Sequence, residues 1–203
     1  MPKKIRNKNR KKLPKPGHPG SAPNAGSRPQ SQARLDAEEL VAIAAKAMAA
    51  DQDRIAMEKL QAALEIDPTH AGAAYMLGAM YAHLRDNTKA IEWMARALEL
   101  KPDFHDVRFQ LGLLYVGNRQ ANMAEVMWMP LEKLDPEHPL KLFARGVGHM
   151  LHDRFAECIT HLETGIANNK TNPSLNREMS RYVEAARNAL AGKTPTTAPQ
   201  NPS

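Results

Sequence analysis

Between residues 36 and 190 apolar side chains recur at helical spacing in a series of short segments, each closed by a polar turn or a proline. The clearest unit runs from Ala71 to Pro102. Two apolar-periodic segments, Ala71–Leu84 and Thr88–Leu100, flank the polar turn Arg85-Asp86-Asn87. Pro102 ends the second segment, because the residue before a proline is pushed out of the helical region. The unit reads as helix, turn, helix, stop. A shift of 34 residues in either direction finds it again: proline at 68, 102 and 136, alanine at 56, 90 and 124, Ile43, Leu77 and Leu111, and glycine at 78, 112 and 146. A fixed period of this length marks a stacked helical repeat.

At these residues the chain resembles the tetratricopeptide repeat family, whose signature sets W-x2-L-G-x2-Y, then A-x3-F, then P within about 34 residues. The second repeat supplies Leu77, Gly78, Tyr81, Ala90, Ala97 and Pro102, with Ala74 in the tryptophan slot and Met94 in the phenylalanine slot. The third supplies Leu111, Gly112, Tyr115, Ala124, Trp128 and Pro136. The first is looser, carrying Leu40, Ile43, Ala44, Ala47, Ala56, Leu60, Ala63 and Pro68. The fourth keeps Leu142, Gly146 and Leu162 but sets Arg145 in the leucine slot, His149 in the tyrosine slot and Cys158 in the alanine slot, with no proline at 170. The resemblance implies an all-α fold, a right-handed superhelical solenoid of four tetratricopeptide repeats, and a non-enzymatic scaffold that binds other proteins. The repeats would occupy 36–172, as 37–70, 71–104, 105–138 and 139–172.

A segment after Pro173 carries Leu175, Met179, Tyr182, Val183, Ala186 and Leu190 at helical spacing before Gly192, which predicts a capping helix over 173–191. A solenoid needs one, since its last repeat would otherwise leave an apolar face in water. Pro130 falls inside the second helix of the third repeat, where it removes a backbone donor and predicts a kink. Met123, Met127, Trp128 and Met129 surround it and could fill the irregular space.

Charge divides the chain. The formal net charge of +6 comes from residues 1–34, which hold ten Lys or Arg and no Asp or Glu, leaving 18 basic against 22 acidic residues in the remainder. Residues 1–35 combine this run with Pro, Gly, Ser, Asn and Gln and are expected to be disordered, as is the low-complexity tail 192–203. Lys3, Lys4, Arg6, Lys8, Arg10, Lys11, Lys12 and Lys15 could hold the phosphates of a nucleic acid or an anionic surface, or simply solubilise the chain. Cys158 is the one cysteine and excludes an intrachain disulfide. With no apolar run long enough for a signal peptide or a span of about 20 residues, a cytoplasmic protein is expected.

In the family the first helix of each repeat lines a concave surface. The fifth position of successive repeats carries Val41, Tyr75, Phe109 and Phe143, the ninth Ala45, Ala79, Leu113 and Val147, and the twelfth Met48, Ala82, Val116 and Met150. A row of rings in an uncharged groove predicts an apolar peptide or an amphipathic helix as partner. The same residues could instead pack within the repeats, or the chain's own tail could fill the groove. Members of the family that clamp the acidic carboxyl terminus of heat-shock chaperones use cations and asparagines here. The matching sets are Val41, Ala45, Met76, Asp106 and Gln110, or Tyr75, Ala79, Gln110, Leu140 and Ala144, and neither offers a cation. Secretion chaperones that guard apolar segments share the few-repeat, apolar-groove architecture.

His149, His152, Cys158 and His161 are ligand-capable and close in sequence, but Cys158 and His149 stand in packing slots of the repeat. No phosphate loop, nucleophile elbow or paired-carboxylate motif appears, and no cofactor is expected.

Overall fold

The computed structural model describes residues 30–192, with side chains from residue 36 onward. Helices α1 (Gln30–Ala49) and α2 (Asp53–Ile66) form the first hairpin, α3 (Ala71–His83) and α4 (Asn87–Leu100) the second. α5 (His105–Gly117) and α6 (Ala121–Trp128) form the third, α7 (Pro139–Leu151) and α8 (Phe155–Asn168) the fourth, and α9 (Pro173–Leu190) follows. The hairpins stack into a solenoid, and α9 covers the exposed side of the last one. The two expected terminal tails fall largely outside the described residues. One boundary is corrected: α1 begins at Gln30, within the stretch expected to be disordered. No glycine or proline interrupts the chain from 30 to 49, so nothing local stops the helix from extending back to that point.

Each hairpin turn is closed in the same way. Asp51, Arg85, Arg119 and Asp153, 34 residues apart, adopt φ of 54°, 62°, 60° and 57°. The next residue's N–H then reaches back to the first helix: Gln52 to the Ala47 carbonyl, Asp86 to Tyr81, Gln120 to Tyr115 and Arg154 to His149, each at 2.9 Å. This is the left-handed helix stop that usually takes glycine, and a side chain there costs about 1–2 kcal/mol. Helix starts are capped where the sequence allows. The His70 Nδ1 accepts from the Ala73 N–H, Asp86 from Lys89 and Asn172 from Leu175.

Pro130 does more than kink its helix. α6 stops at Trp128, and Met129–Lys133 continue as a 3-10 helix with the proline in its first turn. The carbonyls left over at its end are taken by buried Lys141, whose Nζ donates to Glu132 at 2.8 Å and Leu134 at 3.0 Å. Of the four side chains expected to fill the kink only Trp128 is buried. Met127 is half-buried against Arg108, while Met123 and Met129 face solvent.

The core changes character along the chain. Around α1–α3 it is mostly alanine, with Ala37, Ala44, Ala56, Ala63 and Ala73 beside Leu60 and Leu77. Around α5–α9 it is aromatic, with Phe109, Trp128, Phe143 and Tyr182 in one cluster that also holds Leu175 and Met179 of α9.

Candidate functional site

The positions expected to share one open groove divide into two environments. Val41, Met48, Tyr75, Ala79, Ala82 and Met150 are half-buried and Ala45 is exposed. Phe109, Phe143 and Val147 have no accessible surface, and Leu113 and Val116 are buried with them. The row of rings is therefore not an accessible groove wall, which corrects the reading from spacing alone. The cause is local volume. Gly165 in α8 leaves a hollow for Phe143, and a Cβ at 165 would stand 2.6 Å from that ring. Phe109 stacks on Trp128 with centroids 5.8 Å apart and lies 6.1 Å from Phe143. Trp128 is held in turn by its indole N–H, which donates to the Phe109 carbonyl at 3.1 Å, and by Gly112 beneath it. Tyr75 has no such hollow and leans on Phe104, with centroids 5.6 Å apart.

The superhelix brings α9 across from α3. Between them lies a cleft of about 360 Å³, lined on one side by Tyr75, Ala79, Ala82 and His83 with Arg85 of the following turn, and on the other by Ser174, Arg177, Glu178 and Arg181, with Met94 and Gln110 also present. Burial raises the Tyr75 phenol above its usual pKa, and the charges of Asp106 and Glu178 push it the same way. Burial also raises the Glu178 carboxyl, against the opposing effect of Arg181. Reading the first helices alone missed these two arginines. The signal available was the spacing 174, 177, 178 and 181, one face of α9 opposite its buried stripe.

The histidine and cysteine cluster does not converge. His149 and His161 face one another with ring centroids 4.9 Å apart, whereas His152 reaches across to Glu125 on α6. Cys158 points into the core, where burial raises its thiol pKa to about 11, so it stays protonated and unreactive. Among the described residues no three His, Cys, Asp or Glu side chains come together as metal ligands would. Arg145 forms a two-point ion pair with Glu132 (2.6 and 2.9 Å), and Arg108 donates to the Pro102 carbonyl at 2.8 Å. Both are structural. The basic positions Lys3 to Lys15 lie outside the described residues, and no described helix is long and apolar enough to cross a membrane.

Comparison with known proteins bears on the fold. Residues 59–92 match the model of the tetratricopeptide repeat. No curated protein sequence matches the chain significantly. Among solved structures, PilW, described as a widely conserved type IV pilus biogenesis factor, is 21% identical with a TM-score of 0.61, covering 77% of this chain and 70% of its own. MamA is 19% identical with a TM-score of 0.56, covering 70% and 85%. YrrB, described as a TPR protein with an unusual peptide-binding site, is 17% identical with a TM-score of 0.56, covering 83% and 87%. One tetratricopeptide repeat is thus matched in sequence, and the stacked hairpins share the fold of these solved structures.

Proposed function

We propose that the chain is a non-enzymatic scaffold, an adaptor or chaperone, that receives an apolar peptide or one face of an amphipathic helix along the N-terminal part of its concave face. One observation carries this. The concave positions of α1 and α3, namely Val41, Ala45, Met48, Ala79 and Ala82, remain accessible and uncharged, while those of α5 are consumed by the core. Small side chains on successive helices leave room for a guest whose own apolar residues supply the missing volume. The fold's resemblance to YrrB, described as having a peptide-binding site, points the same way.

Affinity capture from the source cell tests the reading. Ala45→Glu with Ala79→Glu should remove the recovered partners, whereas Val126→Glu, on exposed α6, should not. Unchanged recovery by the folded double variant overturns it.

The segregated charge of residues 1–34 supports a second reading, an RNA- or ribosome-associated protein whose tail holds phosphates while the repeats recruit a partner. Its affinity for structured RNA would fall with salt and with deletion of residues 1–29, because each neutralised phosphate releases counterions. No loss on deletion removes that reading.

A further inference from the structure

We propose that the segment taken into the cleft is acidic on the side that meets α9, with Arg177 and Arg181 gripping its carboxylates while its apolar side chains lie on α3. The inference rests on the groove reading above and adds the chemistry of the guest. α9 has two faces. Leu175, Met179, Tyr182, Val183 and Ala186 enter the core, and Ser174, Arg177, Glu178 and Arg181 form a polar stripe turned toward Tyr75, Ala79 and Ala82. A polar stripe on a capping helix ordinarily faces bulk water. Here it faces the opposite wall of a cleft whose volume falls within the range of ligand sites.

The two guanidiniums on that stripe differ from the other two arginines within helices α7–α9. Arg145 is held by Glu132 and Arg187 by Glu163. Arg177 donates to the neutral Ser174 hydroxyl at 2.8 Å, and among the described residues neither it nor Arg181 forms an ion pair. They stand one helical turn apart, where like charges repel, so an incoming carboxylate relieves that repulsion as well as forming its own bonds. Arginine suits the task because its planar fork meets a carboxylate at two points. Burial raises the carboxyl pKa of Glu178, which lies between them in sequence, and Arg181 opposes that rise. Tyr75, Ala79 and Ala82 on the opposite wall are uncharged, which favours one orientation: carboxylates toward α9, aliphatic groups toward α3. The terminal helix thus supplies cations that the concave positions of the first helices lack.

The test is selection of a random dodecapeptide display library on the full-length chain, followed by fluorescence anisotropy on the enriched peptides. Expected are peptides with Asp or Glu close to aliphatic residues, whose binding weakens with salt. Arg177→Glu with Arg181→Glu should weaken it about tenfold or more, and Arg54→Glu on α2, a charge reversal away from the cleft, should leave it intact. Should the reversed variant lose its helical circular dichroism, Arg177→Gln with Arg181→Gln keeps the comparison and should weaken binding severalfold. Enriched peptides that are purely apolar or basic, or that ignore both arginine variants yet are lost with Ala45→Glu and Ala79→Glu, overturn the inference while leaving the groove. Enrichment of no peptide overturns both.

Discussion

The hairpins α1–α4 and α5–α8 are built on one 34-residue plan, yet they use equivalent positions for opposite ends. At the fifth position of its repeat Tyr75 stays half-buried beside a cleft, whereas Phe109 and Phe143 vanish into the core. The slot does not decide this. Gly165 makes the hollow that Phe143 fills, and Trp128, seated over Gly112, makes the surface on which Phe109 stacks. In the N-terminal part the facing side chains are mostly alanine, so little volume is spent inside and an apolar face remains accessible. A repeat protein can thus assign part of its array to holding itself together and part to holding something else, by changing residue volume at a few slots.

The difference breaks most directly by truncating the two rings. Phe143→Ala should cost about 3–5 kcal/mol in urea unfolding, as large-to-small core changes do, and Tyr75→Ala about 1 kcal/mol. Equal costs would erase the distinction between the halves. Next in size is a pair of glycines. A Cβ on Gly112 would stand 2.0 Å from Trp128 Nε1, so Gly112→Ala should lower stability by about 1–3 kcal/mol. Gly148 has nothing within 4 Å of its virtual Cβ, and Gly148→Ala should raise stability by about 0.5–1 kcal/mol through helix propensity. If Gly112→Ala is neutral, the aromatic core is looser than described.

The smallest effect is acid sensitivity confined to the C-terminal half. Burial, with the nearby charges of Arg154 and His161, lowers the His149 pKa below its usual 6.5. A depressed imidazole binds fewer protons folded than unfolded. Its contribution is therefore complete above pH 6.5 and declines as the pH falls from there toward the folded value. His149→Tyr, which restores the residue type of the family signature, should lose less stability than the native chain between about pH 7 and pH 5 in thermal melts. An identical pH dependence would show that the tilted His149–His161 pair carries no such coupling.

Much of the fold was legible in the sequence because its signals are local. α2 and α7 span the residues that periodicity, polar turns and prolines mark out, and Pro130 stops α6 as its missing N–H requires. The direction of the rings was not legible from their spacing, because it depends on Gly165 in a different helix. Nor was the placement of Arg177 and Arg181, which needs the curvature of the whole array to bring α9 opposite α3. At the end of the fourth repeat the missing proline is replaced by a side-chain network no motif announces. Buried Asn169 donates to the Asn172 carbonyl at 3.0 Å and to Asn176 Oδ1 at 2.7 Å, turning the chain into α9. The metal alternative failed for a similar reason: residues close in sequence were sent to different neighbours, His152 to α6 and Cys158 inward.

The seat of Trp128 also gives the molecule an optical label. Its indole is enclosed in the C-terminal cluster, while Trp93, the other tryptophan, is half-buried against the clusters of the first two hairpins. Emission from the enclosed ring should sit at shorter wavelength than emission from Trp93, so replacing one at a time yields two colours of reporter. Following both through a denaturant series would reveal whether the array comes apart all at once or from one end, as short-range coupling between neighbours permits.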